Sequence, residues 1–186
     1  MFGLYVPSMF GKTMAPKGLK MTSSPLQISA QITESAANTF TAEEIDLTLN
    51  VLDNEVFVVT QLNIDVDAPD SVAGTSTVVS SSLSTTARTT VGSIANSNVL
   101  GSAQRAIITN AGMTPDGGIP FDREDPLFAA ISEDYLGIVA TNNMFLNIVG
   151  DGNGNPKTVR ARVYGYRAKA DSATYAALVQ SELLSA

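Results

Sequence analysis

Residues 135–169 read YLGIVATNNMFLNIVG, DGNGNP, KTVRARVYGYRAK, and this stretch decides the fold. Val159, Ala161, Val163 and Gly165 alternate with Arg160, Arg162, Tyr164 and Tyr166. Strict alternation is what a strand with one buried and one polar face requires. Residues 135–140 and 144–149 read as strand on either side of a kink at Asn142 and Asn143. Between them and the alternating run lies DGNGNP, whose Asp, Gly and Asn residues tolerate turn geometry and whose Pro156 cannot continue a ladder. The expectation is a long hairpin closing an all-β domain. After it, Asp171 or Ser172 can cap a short helix carrying Tyr175, Leu178, Val179 and Leu183 on one face.

Working toward the N-terminus, TFTAEEIDLTLNV (residues 39–51) reads as the first core strand, with Ile45, Leu47, Leu49 and Val51 in phase. VFVVTQLNIDV (56–66) reads as the second, with Val58, Leu62, Ile64 and Val66 in phase. Residues 71–103 are rich in Ser and Thr with scattered Val and Leu, which predicts one or two strands with polar faces. QRAIIT (104–109) is a further short strand, 110–125 a long loop, and 127–131 a brief apolar element. Many short strands with irregular turns, and helix only at the end, predict an antiparallel β-sandwich of jelly-roll type. The domain is expected to span residues 39–186.

Residues 1–38 read as an extended N-terminal arm. Gly3, Pro7, Gly11, Pro16, Gly18 and Pro25 break regular structure, yet Phe2, Leu4, Tyr5, Val6, Met9, Phe10 and Met14 are apolar. A polar linker would not carry so many large side chains, so the arm is expected to dock on a neighbour, on a lipid surface or on its own domain. The start MFGLYVPSMFGK lacks the charged and apolar regions of a signal peptide.

Composition narrows the function. There is no Cys and no His, which removes histidine triads, thiolate chemistry and the usual zinc sites. Charged residues make up 16% of the chain against a typical ~25%, leaving a largely neutral surface. Net charge is −7 and uneven. Residues 1–33 hold three lysines and no acid; residues 34–156 hold sixteen acids against three arginines; residues 157–186 hold five bases against two acids. Three lysines are far fewer than a phosphate-neutralising arm carries, so nucleic-acid contact by the arm is expected to be weak or indirect.

Few groups carry chemistry. No phosphate loop, dinucleotide fingerprint or serine elbow occurs, so no enzyme is expected. DGNGNP begins like a calcium loop, but Pro156 stands where glycine is required and Arg162 where the closing acid belongs. Asp65, Asp67 and Asp70, and separately Asp122, Glu124 and Asp125, are small acidic clusters that would suit a structural calcium ion between subunits, or simply a solvated face. Arg160, Arg162, Arg167 and Lys169, with Tyr164 and Tyr166, form a basic, aromatic strand suited to nucleic acid or to a subunit seam.

The succession IDLTLNV, VFVVTQLNIDVDAP, LGIVATNNMFLNIVG, KTVRARVYGYRAK and the tail DSATYAALVQSEL resembles small single jelly-roll viral capsid proteins over residues 39–184. The resemblance implies a coat subunit of a virion that tiles an icosahedral shell with copies of itself. It also implies an arm running inside the shell or under neighbours, alongside other capsid proteins or an internal membrane. Assembly contacts are expected at Phe2, Leu4, Tyr5, Phe10 and Met14 of the arm and at Arg160, Arg162, Tyr164 and Tyr166. A β-sandwich binding module of carbohydrate-binding or fibre-head type is the other reading of the same pattern.

Overall fold

The computed structural model describes residues 15–109, 117–124 and 135–184. Within them run β1 (Leu19–Met21), β2 (Leu26–Thr33), β3 (Thr41–Asp46), β4 (Glu55–Val66), β5 (Thr77–Ser84) and β6 (Val99–Ile108). There follow β7 (Ile119–Glu124), β8 (Gly137–Val139), β9 (Asn143–Asp151), β10 (Thr158–Ala170) and helix α1 (Ser172–Leu184). The strands form two antiparallel sheets. In the first, β1 and β2 share one edge of β10, and β4 then β8 continue beyond its other edge. The second runs β3-β9-β5-β6-β7.

With β1 and the edge strand β7 set aside, β2 pairs with β10, β3 with β9, β4 with β8, and β5 with β6. The outermost strands of the sequence pair with each other, then the next two, down to a central hairpin. That nested order, folded over into two layers, is a jelly roll. It corrects the expected local hairpin. β9 and β10 lie in opposite sheets, and DGNGNP carries the chain across the end of the sandwich. Alternation shows that a segment is a strand with one buried face; it does not say which strand lies beside it.

The main core fills the space between the sheets with Phe57, Val59, Leu62, Ile64, Val66, Val79, Leu83, Leu146, Ile148, Val159 and Val163. Ile45, Leu47 and Leu49 reach it as expected. Val51 does not: the strand ends at Asp46, a 3-10 turn begins at Val51, and that side chain is 51% exposed. Val58 also departs from its expected phase. The register between β4 and β10 slips at Tyr164 and Gly165, so Thr60 is an extra residue and faces before and after it reverse. Phe57 and Val59 therefore join Leu62 and Ile64 in the core, while Val56 and Val58 turn outward to meet Tyr166, Ala168 and Ala170 under α1. Only glycine fits at 165, where a Cβ would lie 2.2 Å from the Val58 carbonyl oxygen.

The Ser/Thr-rich segment supplies β5 and the first half of β6, but its polar residues on β5 are largely unsolvated. Ser81, Ser82 and Ser84 are buried. Ser81 Oγ donates to the Asn147 carbonyl (2.8 Å), Asn147 Nδ2 donates to Ser84 Oγ (3.0 Å), and the Gly92 amide donates to Ser82 Oγ (3.0 Å). The 85–98 segment thus folds back over β5, and small hydroxyls let it lie close. Residues 119–124, expected as loop, form β7 on the edge of β6. β1 and β2 come from the stretch read as an arm; it is extended there, and it runs along β10. The brief apolar element at 127–131 lies outside the described residues.

Candidate functional site

The outward face of β10 carries, in order, Thr158, Arg160, Arg162, Tyr164 and Tyr166. Register places Gln31, Ser29 and Gln27 of β2 beside Arg160, Arg162 and Tyr164 on one side, and Asp65, Asn63 and Gln61 of β4 on the other. Nine polar side chains therefore form a three-by-three array. Its centre is a shallow depression of about 460 Å³ lined by Ser29, Gln31, Asn63, Asp65, Arg160 and Arg162.

Charges in the array are unequally satisfied. Arg160 Nη1 lies 2.9 Å from Asp67 Oδ1 and 4.0 Å from Asp65 Oδ2, and its Nε donates to Gln31 Oε1 at 3.1 Å. Asp65 is also approached by Arg105 of β6 at 3.4 Å, and Arg105 by Asp122 of β7 at 3.5 Å. Arg105 further donates to the Val66 carbonyl. This ladder laces the edge of one sheet to the other. Arg162 stands outside it: exposed at the centre of the array, it has no hydrogen-bond or ion-pair partner among the described residues. Tyr164 is half-buried beside it. Tyr166 is 1% exposed beneath Tyr175, Leu178 and Val179 of α1, so the four residues expected to act together divide into an open group of three and a buried anchor. The arm residues Phe2, Leu4, Tyr5, Phe10 and Met14 lie outside the described residues.

The acidic clusters find their counter-charges within the chain. Asp65 and Asp67 face arginines, and Asp122 faces Arg105. Of the second cluster, Asp125 lies outside the described residues, and among the described residues no three acidic ligands converge. Asp70 takes a different role, at the crossover turn. Its Oδ2 accepts the Gly154 and Asn155 amides, both at 3.0 Å, and its Oδ1 pairs with Lys157. The hydrogen bond from Lys157 holds its carboxyl below the ordinary range. The turn thus presents N–H donors to a carboxylate, the opposite polarity from a calcium loop.

Beside it, Glu34 is 4% exposed and accepts three backbone amides: Gly150 (2.6 Å), Lys157 (2.9 Å) and Thr39 (3.1 Å). The Asn38 side chain holds the Asn153 backbone, its Nδ2 donating to the carbonyl and its Oδ1 accepting the amide, both at 2.8 Å. This network joins the ends of β2, β5, β9 and β10 into one corner. A second buried acid, Glu182 of α1, accepts the Ala140 amide at 3.0 Å through Oε1, while Oε2 has no hydrogen-bond partner among the described residues. It lines a cleft of about 150 Å³ with Asn98, Leu100, Leu136, Ile138 and Leu178, and burial pushes its carboxyl up. Neither acid stood out as a motif, but both carry a signal. Glu34 continues the inward phase of Leu26, Ile28, Ala30 and Ile32, and Glu182 follows Leu178 by one helical turn. An acid in phase with an apolar face is buried by its neighbours and must be given partners.

A third surface is apolar. Ile108 pairs with Ile119, and Ala106 with Phe121, across β6 and β7. Their exposures of 39% (Ile108), 46% (Ile119) and 55% (Phe121) leave a greasy strip at the open edge of the second sheet.

No protein-family model matches the chain, and no curated protein matches it. Among solved structures, a chain of Desmodium yellow mottle tymovirus is similar over 92% of this chain and 98% of its own, at 14% identity and a TM-score of 0.31. A superposition that loose adds nothing to the strand pairing, and it is the pairing that makes the chain an all-β jelly-roll sandwich with a short C-terminal helix.

Proposed function

We propose that the chain is a structural coat subunit of a virion that self-assembles into an icosahedral shell around its genome. The observation that carries this reading is the complete jelly-roll pairing in a chain whose strand succession resembles small capsid proteins. The strip at Ile108, Ile119 and Phe121 supports it, since exposed apolar residues on neighbouring strands are best explained by burial against another copy. The low charged fraction suits a surface largely covered in an assembly. In this reading the apolar arm, through Phe2, Leu4, Tyr5, Phe10 and Met14, docks under neighbouring copies or on an internal membrane. Arg160, Arg162 and Tyr164 border those contacts, and the genome is met weakly or through other capsid proteins.

Negative-stain microscopy and light scattering of the purified full chain test the proposal. Regular shells are expected. Deletion of residues 1–14 and, separately, Phe121→Ser should reduce them while circular dichroism stays that of a β protein. A full chain that remains monomeric across salt and concentration would refute self-assembly.

A further inference from the structure

We infer that the array on β2, β10 and β4 is a binding face for an acidic oligosaccharide, with Arg162 holding the acid group. Three features carry the inference. The nine side chains of the array are all polar, and Ala30 and Ala161 alone add apolar lining to the depression, so it lacks the large apolar centre that a dry protein seam needs. Amides of Gln27, Gln31, Gln61 and Asn63 and the Ser29 hydroxyl offer donors and acceptors on a grid of ~5 Å between strands and ~7 Å along them. That is the scale of hexose rings and their hydroxyls.

The second feature is charge. Arg160 is consumed by Asp67, Asp65 and Gln31, whereas the side chain of Arg162 beside it is uncompensated among the described residues. A guanidinium with a free fork takes a planar carboxylate or a sulfate through two parallel hydrogen bonds. A lone such cation, on a face where Asp65 and Asp67 hold Arg160, opposes a polyphosphate strand, which draws its affinity from many neutralised phosphates. The ligand that fits is hydroxyl-rich with sparse negative charge. Third, Tyr164 stands half-buried two residues along β10 from Arg162, on the same face and just beyond the residues that line the depression. A sugar ring packs on such an aromatic.

The site lies within one copy of the chain, so it does not depend on the assembly proposed above. The full chain is titrated, with saturation-transfer NMR and calorimetry as readouts, against a galacturonic-acid hexasaccharide, its methyl ester, a neutral glucose hexasaccharide and a twelve-residue oligothymidylate. The acidic hexasaccharide is expected to bind best, with at least a tenfold loss on methyl esterification. Arg162→Gln should cost a similar factor, Arg162→Lys less, and Tyr164→Ala should weaken every sugar, neutral included. Circular dichroism of the variants should match the parent, because Arg162 is exposed. Binding unaffected by Arg162→Gln, absence of binding by any sugar, or tighter binding of the oligothymidylate than of the acidic hexasaccharide would each overturn the assignment.

Discussion

Replacing Glu34 by alanine removes the acceptor for three buried backbone amides at once. The Gly150, Lys157 and Thr39 N–H groups lie 2.6, 2.9 and 3.1 Å from its oxygens. A hydrogen bond to a charged group contributes about 1.5–3 kcal/mol, and leaving its buried partner unsatisfied costs a similar amount. Thr39 stands in the exposed 35–39 turn and can recover water, so its share is small. The two remaining amides set the expected loss at about 3–6 kcal/mol, a large part of the ~5–15 kcal/mol by which domains are stable. Glu34→Gln should fall between the two. One oxygen still serves Gly150 and Thr39, but the amide nitrogen faces the Lys157 N–H, donor against donor. Urea unfolding followed by far-UV circular dichroism reads the difference. With a slope of ~2 kcal/mol per molar, the midpoint of Glu34→Ala should drop by ~1.5–3 M at equal protein concentration. Hydrogen exchange at the Gly150 and Lys157 amides should accelerate in the same variant. If Glu34→Ala unfolds within about 0.5 M of the parent, the corner is not held by this carboxylate and the reasoning fails.

Gly165→Ala places a methyl 2.2 Å from the Val58 carbonyl oxygen and 2.7 Å from the Phe57 ring, so it should cost at least about 2 kcal/mol. Gly154→Ala, whose nearest neighbour would be Asp70 Oδ2 at 3.7 Å, should be close to neutral, and equal melting temperatures for the two would contradict the bulge packing. Glu182 binds its proton more tightly folded than unfolded, because burial raises its carboxyl above its ordinary value of about 4.5. Its contribution is therefore full below about pH 4.5 and is lost as pH rises through the folded value, so Glu182→Gln should gain stability relative to the parent between pH 5 and 8. Parallel melting profiles for the two would discard that account. Asp70 runs the other way: held low by Lys157, it stabilises above its unfolded value of about 3.8 and loses that contribution as pH falls below it. Asp70→Asn should accordingly flatten the acid limb of the stability curve, and an unchanged limb would argue against the pair.

Much of the architecture was legible before the fold. Period-two alternation marked β3, β4 and β10, turn residues marked their ends, and the spacing of Tyr175, Leu178 and Val179 marked α1. Pairing was not legible, because alternation is a property of one strand while partnership is a property of two. Hence DGNGNP read as a hairpin turn, although it crosses from one sheet to the other. Nor did the one-residue slip at Thr60 show, since the apolar run from Val56 to Val59 has a buried place on either face. Arg160, Arg162 and Tyr164 were visible as a face, but which arginine was free depended on Asp65 and Asp67, about a hundred residues away. Tyr166 looked equivalent to them until the helix lay over it.

By itself the sequence determined that this chain is a β protein with a closing helix and without histidine or cysteine chemistry, because those are local and compositional facts. Only the tertiary structure decided that its strands nest into a jelly roll, that Glu34 and Glu182 are buried, and that Arg162 is left without a counter-charge among the described residues. Each of those depends on which distant side chains arrive within a few ångströms, and burial and charge compensation are set by that arrival.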